Sequence, residues 1–293
     1  MNLLITTFLL VFSAILRFMP RNVVIFMGKL FGNFLRLLSK KRKNITLNNI
    51  RMALPEADSD FICKESYRNL GITFAELVTM NKYSIDELKN IVKYENVELI
   101  DELLSQGKGL ITLSGHYGNW ELLAYTTGLF SGHPTNMIVK PMKNQYADVF
   151  LNKFRVFEGN KIVSSHNAAK KMIKLLRDGE QMALIVDQNA TSSRNVLVNF
   201  FGLSTPTYEA PASLALKLKA PLIIGFAVRE KDNTYSVKLQ EIDYSDLLAL
   251  PTNEAIEILT QRHVNILENQ IRTRPDLWAW QHRRWKHSPG AFN

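Results

Sequence analysis

Among the residues of this chain, His116 and Glu121 are the pair best suited to do chemistry. They stand in the segment Ser114-Gly115-His116-Tyr117-Gly118-Asn119-Trp120-Glu121. Histidine is the side chain best able to exchange a proton near neutral pH. A nearby carboxylate can orient the imidazole and stabilise its charged form, which suits a general base acting on a hydroxyl. Five positions apart on one helix would put the two side chains about 140° apart. The pair therefore works only if His116 lies in a turn and Glu121 on the helix that follows. Gly115 and Gly118 permit unusual backbone angles in such a turn, and Asn119 can cap the helix. Free N–H groups at the helix start can bind a developing negative charge. The plainer reading is a structural hydrogen-bonded pair. The sequence has no G-x-S-x-G elbow, no P-loop and no H-E-x-x-H motif.

The elements that must position these residues follow from apolar patterning. Residues 109–113 read as a buried strand and residues 122–125 as the start of a helix. Open α/β sheets place their sites at such strand-to-helix turns. Further strands are expected at 136–140, 182–187, 195–200, 221–229 and 234–240. Helices are expected at 58–79, 119–130, 144–157, 167–178, 208–219 and 253–273, with short helical pieces over 84–105. Asp58 or Ser59 caps the first of these. Residues 221–229 and 234–240 form a hairpin across Glu230-Lys231-Asp232-Asn233. The expected fold is α/β: a mixed, mostly parallel central sheet flanked by helices, with an N-terminal hydrophobic helical membrane anchor.

Charge is placed unevenly. The chain of 293 residues carries a net charge of +9. Residues 1–55 hold nine Lys and Arg and no acid, so the remaining 27 basic residues balance the 27 acidic ones. A basic, apolar N-terminal fifth favours a membrane surface over nucleic acid. Residues 2–19 are apolar and about long enough to span a bilayer if Arg17 snorkels; a second apolar segment, 23–38, looks interfacial. Two ordinary packed helices are the alternative. Lys40-Lys41-Arg42-Lys43 suits a cytoplasmic membrane face. These features divide the chain into membrane-anchoring helices at 1–42 and a catalytic domain at 43–293. The single cysteine, Cys63, excludes an intramolecular disulfide.

The segment from Gly115 to Glu121 resembles the H-x4-D/E signature of glycerolipid acyltransferases. It is closest to the form in the late acyltransferases of lipid A biosynthesis, the lauroyl and myristoyl transferases. Arg155 with Gly159 resembles that family's R-x-x-x-G, and Asp187-Gln188 its D-Q. Phe200-Phe201-Gly202, Thr207 and Pro211-Ala212 resemble its F-F-G…T…P-A block. Glu268 to Arg272, Pro275, Trp278-Ala279-Trp280 and His282 to Lys286 resemble its ending. The likeness covers residues 1 to about 288. One departure is Lys140 before Pro141, where many members carry arginine.

The resemblance implies an O-acyltransferase. His116 takes a proton from a hydroxyl of a lipid A precursor, oriented by Glu121. The oxygen attacks an acyl thioester carried by acyl carrier protein, or acyl-CoA. No metal or redox cofactor is implied. Gly118, Asn119, Lys140, Arg155, Asp187 and Gln188 are the implied substrate-binding residues, with Arg155 on phosphate or orienting the site. Read without the family, Arg155 is a solvated arginine and Asp187 a turn or cap residue. The implied location is the cytoplasmic face of the bacterial inner membrane. Acyl transfer to another glycolipid or phospholipid, and hydrolysis of a lipid or thioester by the same His–Glu pair, are the alternatives. Trp278, Trp280 and Trp285, alternating with Arg283, Arg284 and Lys286, read either as a lipid-facing cluster or as core anchors flanked by solvated cations. His282 and His287 lack supporting metal ligands.

Overall fold

The computed structural model describes residues 2–156, 159–166, 168–190 and 195–288. Three helices come first: α1 (Asn2–Arg17), α2 (Arg21–Leu38) and α3 (Lys40–Ala53). Ser39 caps α3 by accepting from the Arg42 N–H. α4 (Ser59–Leu77) starts on Asp58, whose carboxylate accepts from the N–H groups of Asp60 and Phe61. Next come α5 (Ile85–Ile91), β1 (Val92–Tyr94) and α6 (Leu99–Leu104). An alternating run follows: β2 (Leu110–Ser114), α7 (Trp120–Ser131), β3 (Asn136–Val139), α8 (Gln145–Arg155), β4 (Lys161–Ser164), α9 (Ala168–Arg177) and β5 (Gln181–Ile185). The chain ends with β6 (Asn195–Phe200), β7 (Leu203–Tyr208), α10 (Ala210–Leu218), β8 (Leu222–Arg229), β9 (Tyr235–Glu241) and α11 (Thr252–Thr273). The expected helix ends at residues 157 and 167 lie outside the described residues.

Seven strands form one sheet in the order β1-β9-β8-β2-β5-β3-β4. Every pairing is parallel except the hairpin β8–β9. Each parallel connection needs a crossover, and the helices that supply these crossovers cover the two faces. Side chains alternate across the central strands as the pleat requires. Ile111 and Leu113 join the core on one face with Leu222, Ile224 and Phe226, while Leu110, Ile223 and Ala227 join the core on the other. A separate antiparallel pair, β6–β7, packs against α11.

Three strands escape the apolar pattern for physical reasons. β1 and β4 are only three and four residues long. β7 contains Pro206, which cannot donate to a ladder and so argues against a strand.

The N-terminal helices correct one expectation. No helix among the described residues is long and apolar enough to cross a membrane. α1 ends after 16 residues, about 24 Å of rise against a hydrocarbon core of about 30 Å. α2 carries Arg21, Lys29 and Arg36. Its inner face packs on α4 with almost no side chain between the backbones. A Cβ on Gly28 would lie 2.6 Å from the Ile72 Cα, and one on Gly32 2.1 Å from the Tyr67 carbonyl oxygen. Leu16 and Val24 belong to the same buried cluster as Leu122 and Phe150, so these helices share the core of the rest. The outer face of α2 exposes Val23, Phe26, Leu30, Phe34 and Leu37, and α1 exposes Leu10, Val11 and Ile15.

Candidate active site

β2 delivers the chain to a turn over residues 115–119 at the C-terminal edge of the sheet, and α7 leaves from it. The backbone of this turn is fastened on all sides. His116 N–H donates to Asp187 Oδ2 at 2.7 Å. Tyr117 N–H donates to Gly115 O, Gly118 N–H to Leu277 O and Asn119 N–H to Ala227 O. The His116 carbonyl accepts from Ala279 N–H, and the Gly118 carbonyl from the Asn69 amide and the Thr73 hydroxyl. Gly118 has φ +59°, and a Cβ there would lie 1.8 Å from the Ala227 carbonyl oxygen, so only glycine fits. The N–H groups of residues 116–119 already have protein acceptors, so any N–H groups offered to an oxyanion lie beyond them, at the start of α7.

The carboxylate on the imidazole is Asp187, not Glu121. His116 Nδ1 lies 2.7 Å from Asp187 Oδ1. Sheet register explains the pairing. Ser114 stands opposite Ile185 in the parallel pair β2–β5, and His116 and Asp187 each lie two residues further on, so adjacent strand ends bring them together. Asp187 Oδ2 also accepts from the Trp278 indole N–H at 2.7 Å. Although burial works against its charge, His116 and these hydrogen bonds hold the Asp187 carboxyl down at about 2. An ionised Asp187 can only accept, so neutral His116 carries its proton on Nδ1 and presents a lone pair on Nε2. The Gln188 amide nitrogen lies 3.3 Å from that Nε2. Burial opposes the charged imidazole, but the Asp187 carboxylate, its hydrogen bond and the Glu121 charge outweigh it and raise the His116 pKa. The imidazole is 25% exposed, with Trp120 edge-on at a ring distance of 5.0 Å.

Glu121, in the first turn of α7, faces α8 instead. Its two oxygens accept from Arg155 Nε at 2.7 Å and Nη2 at 2.5 Å. The expectation that Glu121 holds the imidazole is corrected accordingly; its charge acts on His116 only through space. Arg155 is not a solvated arginine. Its fork is filled by Glu121, and its Nη1 donates to Asn152. Asn119 is fully buried. Its side-chain oxygen caps α7 at Leu122 N–H and its amide donates to Glu76 Oε2, so it builds the turn rather than facing a substrate. Gly118 likewise acts through its backbone. Lys140 is exposed just beyond the end of β3, on the same sheet edge as His116 and Asp187.

The C-terminal cluster proves to be core apart from Arg283 and Lys286, which are exposed as flanking cations. Trp278, Trp280 and Trp285 are buried, and so is Arg284, at 1% exposure, contrary to a solvated cation. Arg284 donates to the carbonyls of Pro206 and Gln188 and to the Thr207 hydroxyl, and lies over the Phe200 ring. Its burial lowers its pKa to about 10. Sequence reading passed over Glu76, Asn69 and the Trp278 indole as supports of the turn. A polar residue amid the helical apolar pattern of α4 was the only signal for the first two. Among the described residues no group of three His, Cys, Asp or Glu side chains could hold a metal ion.

A histidine held by a buried carboxylate at the C-terminal edge of a mostly parallel sheet places this chain among α/β proteins whose sites lie at that edge. Residues 2–287 match the bacterial lipid A biosynthesis acyltransferase family. The chain belongs to that family and is an acyltransferase. It is 26% identical over 259 residues to a lipid A biosynthesis acyltransferase of Haemophilus influenzae, covering 86% of this chain and 80% of that protein. It is 20% identical to the lipid A biosynthesis palmitoleoyltransferase of Escherichia coli K12 and 21% identical to its lauroyltransferase. Each match covers 92% of this chain, with 87% and 88% of the relatives' lengths.

Proposed function

We propose that the protein is a membrane-associated O-acyltransferase. It moves a fatty acyl chain from acyl carrier protein to a hydroxyl of a lipid A precursor at the cytoplasmic face of the bacterial inner membrane. The observation that carries this reading is the His116–Asp187 pair, which leaves Nε2 as the proton acceptor. In the reaction, His116 Nε2 takes the acceptor hydroxyl proton as the oxygen adds to the thioester carbonyl carbon. The tetrahedral intermediate collapses with breakage of the C–S bond. The departing thiolate recovers the proton from the imidazolium, leaving an ester and a free thiol. Asp187 stabilises the imidazolium while it exists. No step calls for a metal or a redox group. The relatives' names support the acceptor class. The exposed apolar face of α1 and α2, followed by Lys40 to Lys43, supports attachment to an anionic membrane surface. The net charge of +9 favours encounter with an acidic carrier and a phosphorylated acceptor.

The test is mass spectrometry of lipid A from a Gram-negative host lacking its own late acyltransferases, expressing this chain or its His116→Ala form. Gain of one acyl chain with the native chain alone is expected. No gain from a folded, membrane-bound protein would redirect the acceptor to another glycolipid or phospholipid. Acyl release without any acceptor would mark a hydrolase.

A further inference from the structure

A cleft on the β8 side of the catalytic turn takes no part in the steps above. It has a volume of about 130 Å³ and lies between α2, α4, the end of β8 and the segment after α11. It shares a wall with the turn, because Asn69 donates to the carbonyls of both Gly118 and Leu277. Of its four cations, two are matched: Arg68 pairs with Glu65 and Arg274 with Asp276. Lys29 and Arg229 have no carboxylate partner among the described residues. The one remaining acid, Glu230, accepts from the Ser236 hydroxyl.

Arg229 is 8% exposed. Its Nε donates to the Tyr235 hydroxyl, while its Nη2 is buried without any acceptor. A buried donor left unsatisfied is costly and calls for a partner. A guanidinium fork matches the oxygens of a phosphate. Lys29 faces the same cleft from α2, and its neighbours Phe26 and Leu30 are apolar and exposed. An anion that entered here on an amphiphile would have a surface for its chains beside it.

We propose that this cleft binds the phosphate of a phosphomonoester lipid between Arg229 and Lys29, with the lipid's chains along Phe26 and Leu30 of α2. A phosphorylated acceptor held this way would present its hydroxyls beside the turn that carries His116, and only that last step rests on the acyltransferase reading.

The test is vesicle flotation of the full-length protein, which needs no turnover. Phosphatidylcholine vesicles with one-tenth phosphatidic acid are compared with charge-matched vesicles containing phosphatidylglycerol, a phosphodiester. About tenfold tighter binding to phosphatidic acid is expected, the worth of one charge-assisted contact. Arg229→Lys and Lys29→Glu should each reduce that ratio severalfold. Lys29 is exposed, so its variant decides the matter even if the Arg229 variant fails to fold. Equal binding to both lipids, or a ratio unchanged in Lys29→Glu, overturns the proposal. Thermal stabilisation by inorganic phosphate equal to that by short-chain phosphatidic acid would assign the cleft to a free ion and overturn the lipid. Because binding alone is read, a host that shows no acyl transfer leaves this result standing.

Discussion

Replacing His116 with alanine removes the proposed proton acceptor and spares the turn, which is held through its backbone. Acyl transfer should fall by about 10²–10⁴-fold or more, with a melting temperature close to that of the native protein. Retained turnover would assign the base elsewhere. The raised His116 pKa places the acid limb of the rate profile above pH 6.5, since only the neutral imidazole accepts a proton. Asp187→Asn removes the charge that raised it and leaves burial to lower it. The limb should then move to lower pH while the maximal rate drops, and an unmoved limb would show that Asp187 does not tune His116. The sign of the stability effect differs for the two partners. The His116 contribution is complete below pH 6.5 and fades as pH rises through its raised pKa. That of Asp187 fades only as pH falls from about 4 to about 2. At this scale His116 was legible in the sequence and its partner was not. Glu121 is near His116 in sequence, while Asp187 becomes near only when β2 and β5 pair in register.

At the scale of elements, the turn and the helices around it depend on close backbone approach. Gly118→Ala would force a Cβ into the Ala227 carbonyl, which is compatible only with displacement of the turn from β8. Lower thermal stability and a large loss of activity are expected together; a native-like melting curve would mean that the turn can yield. The Glu121–Arg155 pair ties α7 to α8. Removing Glu121 alone strands a largely buried guanidinium, at a cost of about 3 kcal/mol. Glu121→Ala should therefore lose both stability and rate, and Glu121→Ala with Arg155→Met should recover stability better than rate. Recovery of both by the double variant would leave Glu121 no electrostatic part in the reaction. The long periodic helices and the apolar strands β2, β5 and β8 were readable because a single pattern governs each. β1, β4 and β7 were not, since short edges and a proline-bearing strand draw their stability from partners rather than from pattern.

At the scale of the whole molecule, the first 38 residues look detachable by composition and are not so by packing. Deleting them would uncover α4 along Gly71 and Ile72 and would take Arg21 from Glu76, the carboxylate that also holds Asn119. The truncated protein should aggregate or lose cooperative unfolding; a soluble, folded and active product would show that the core closes without α2. Charge asymmetry was visible from the start, but composition cannot tell a tether from a core helix, because both are apolar.

The late position of the C-terminal cluster has a consequence for the order of events in synthesis. The Trp278 indole on Asp187, the Ala279 amide on His116 and the Arg284 contacts at Gln188 all come from residues 278–284, far downstream of α1 and α2. The apolar helices α1 and α2 emerge from the ribosome long before the residues that complete the site. A nascent chain therefore exposes its apolar helices before it owns the contacts that hold His116 and Asp187. A stop codon anywhere before Trp278 would leave Asp187 without its indole donor and the His116 carbonyl without the Ala279 amide.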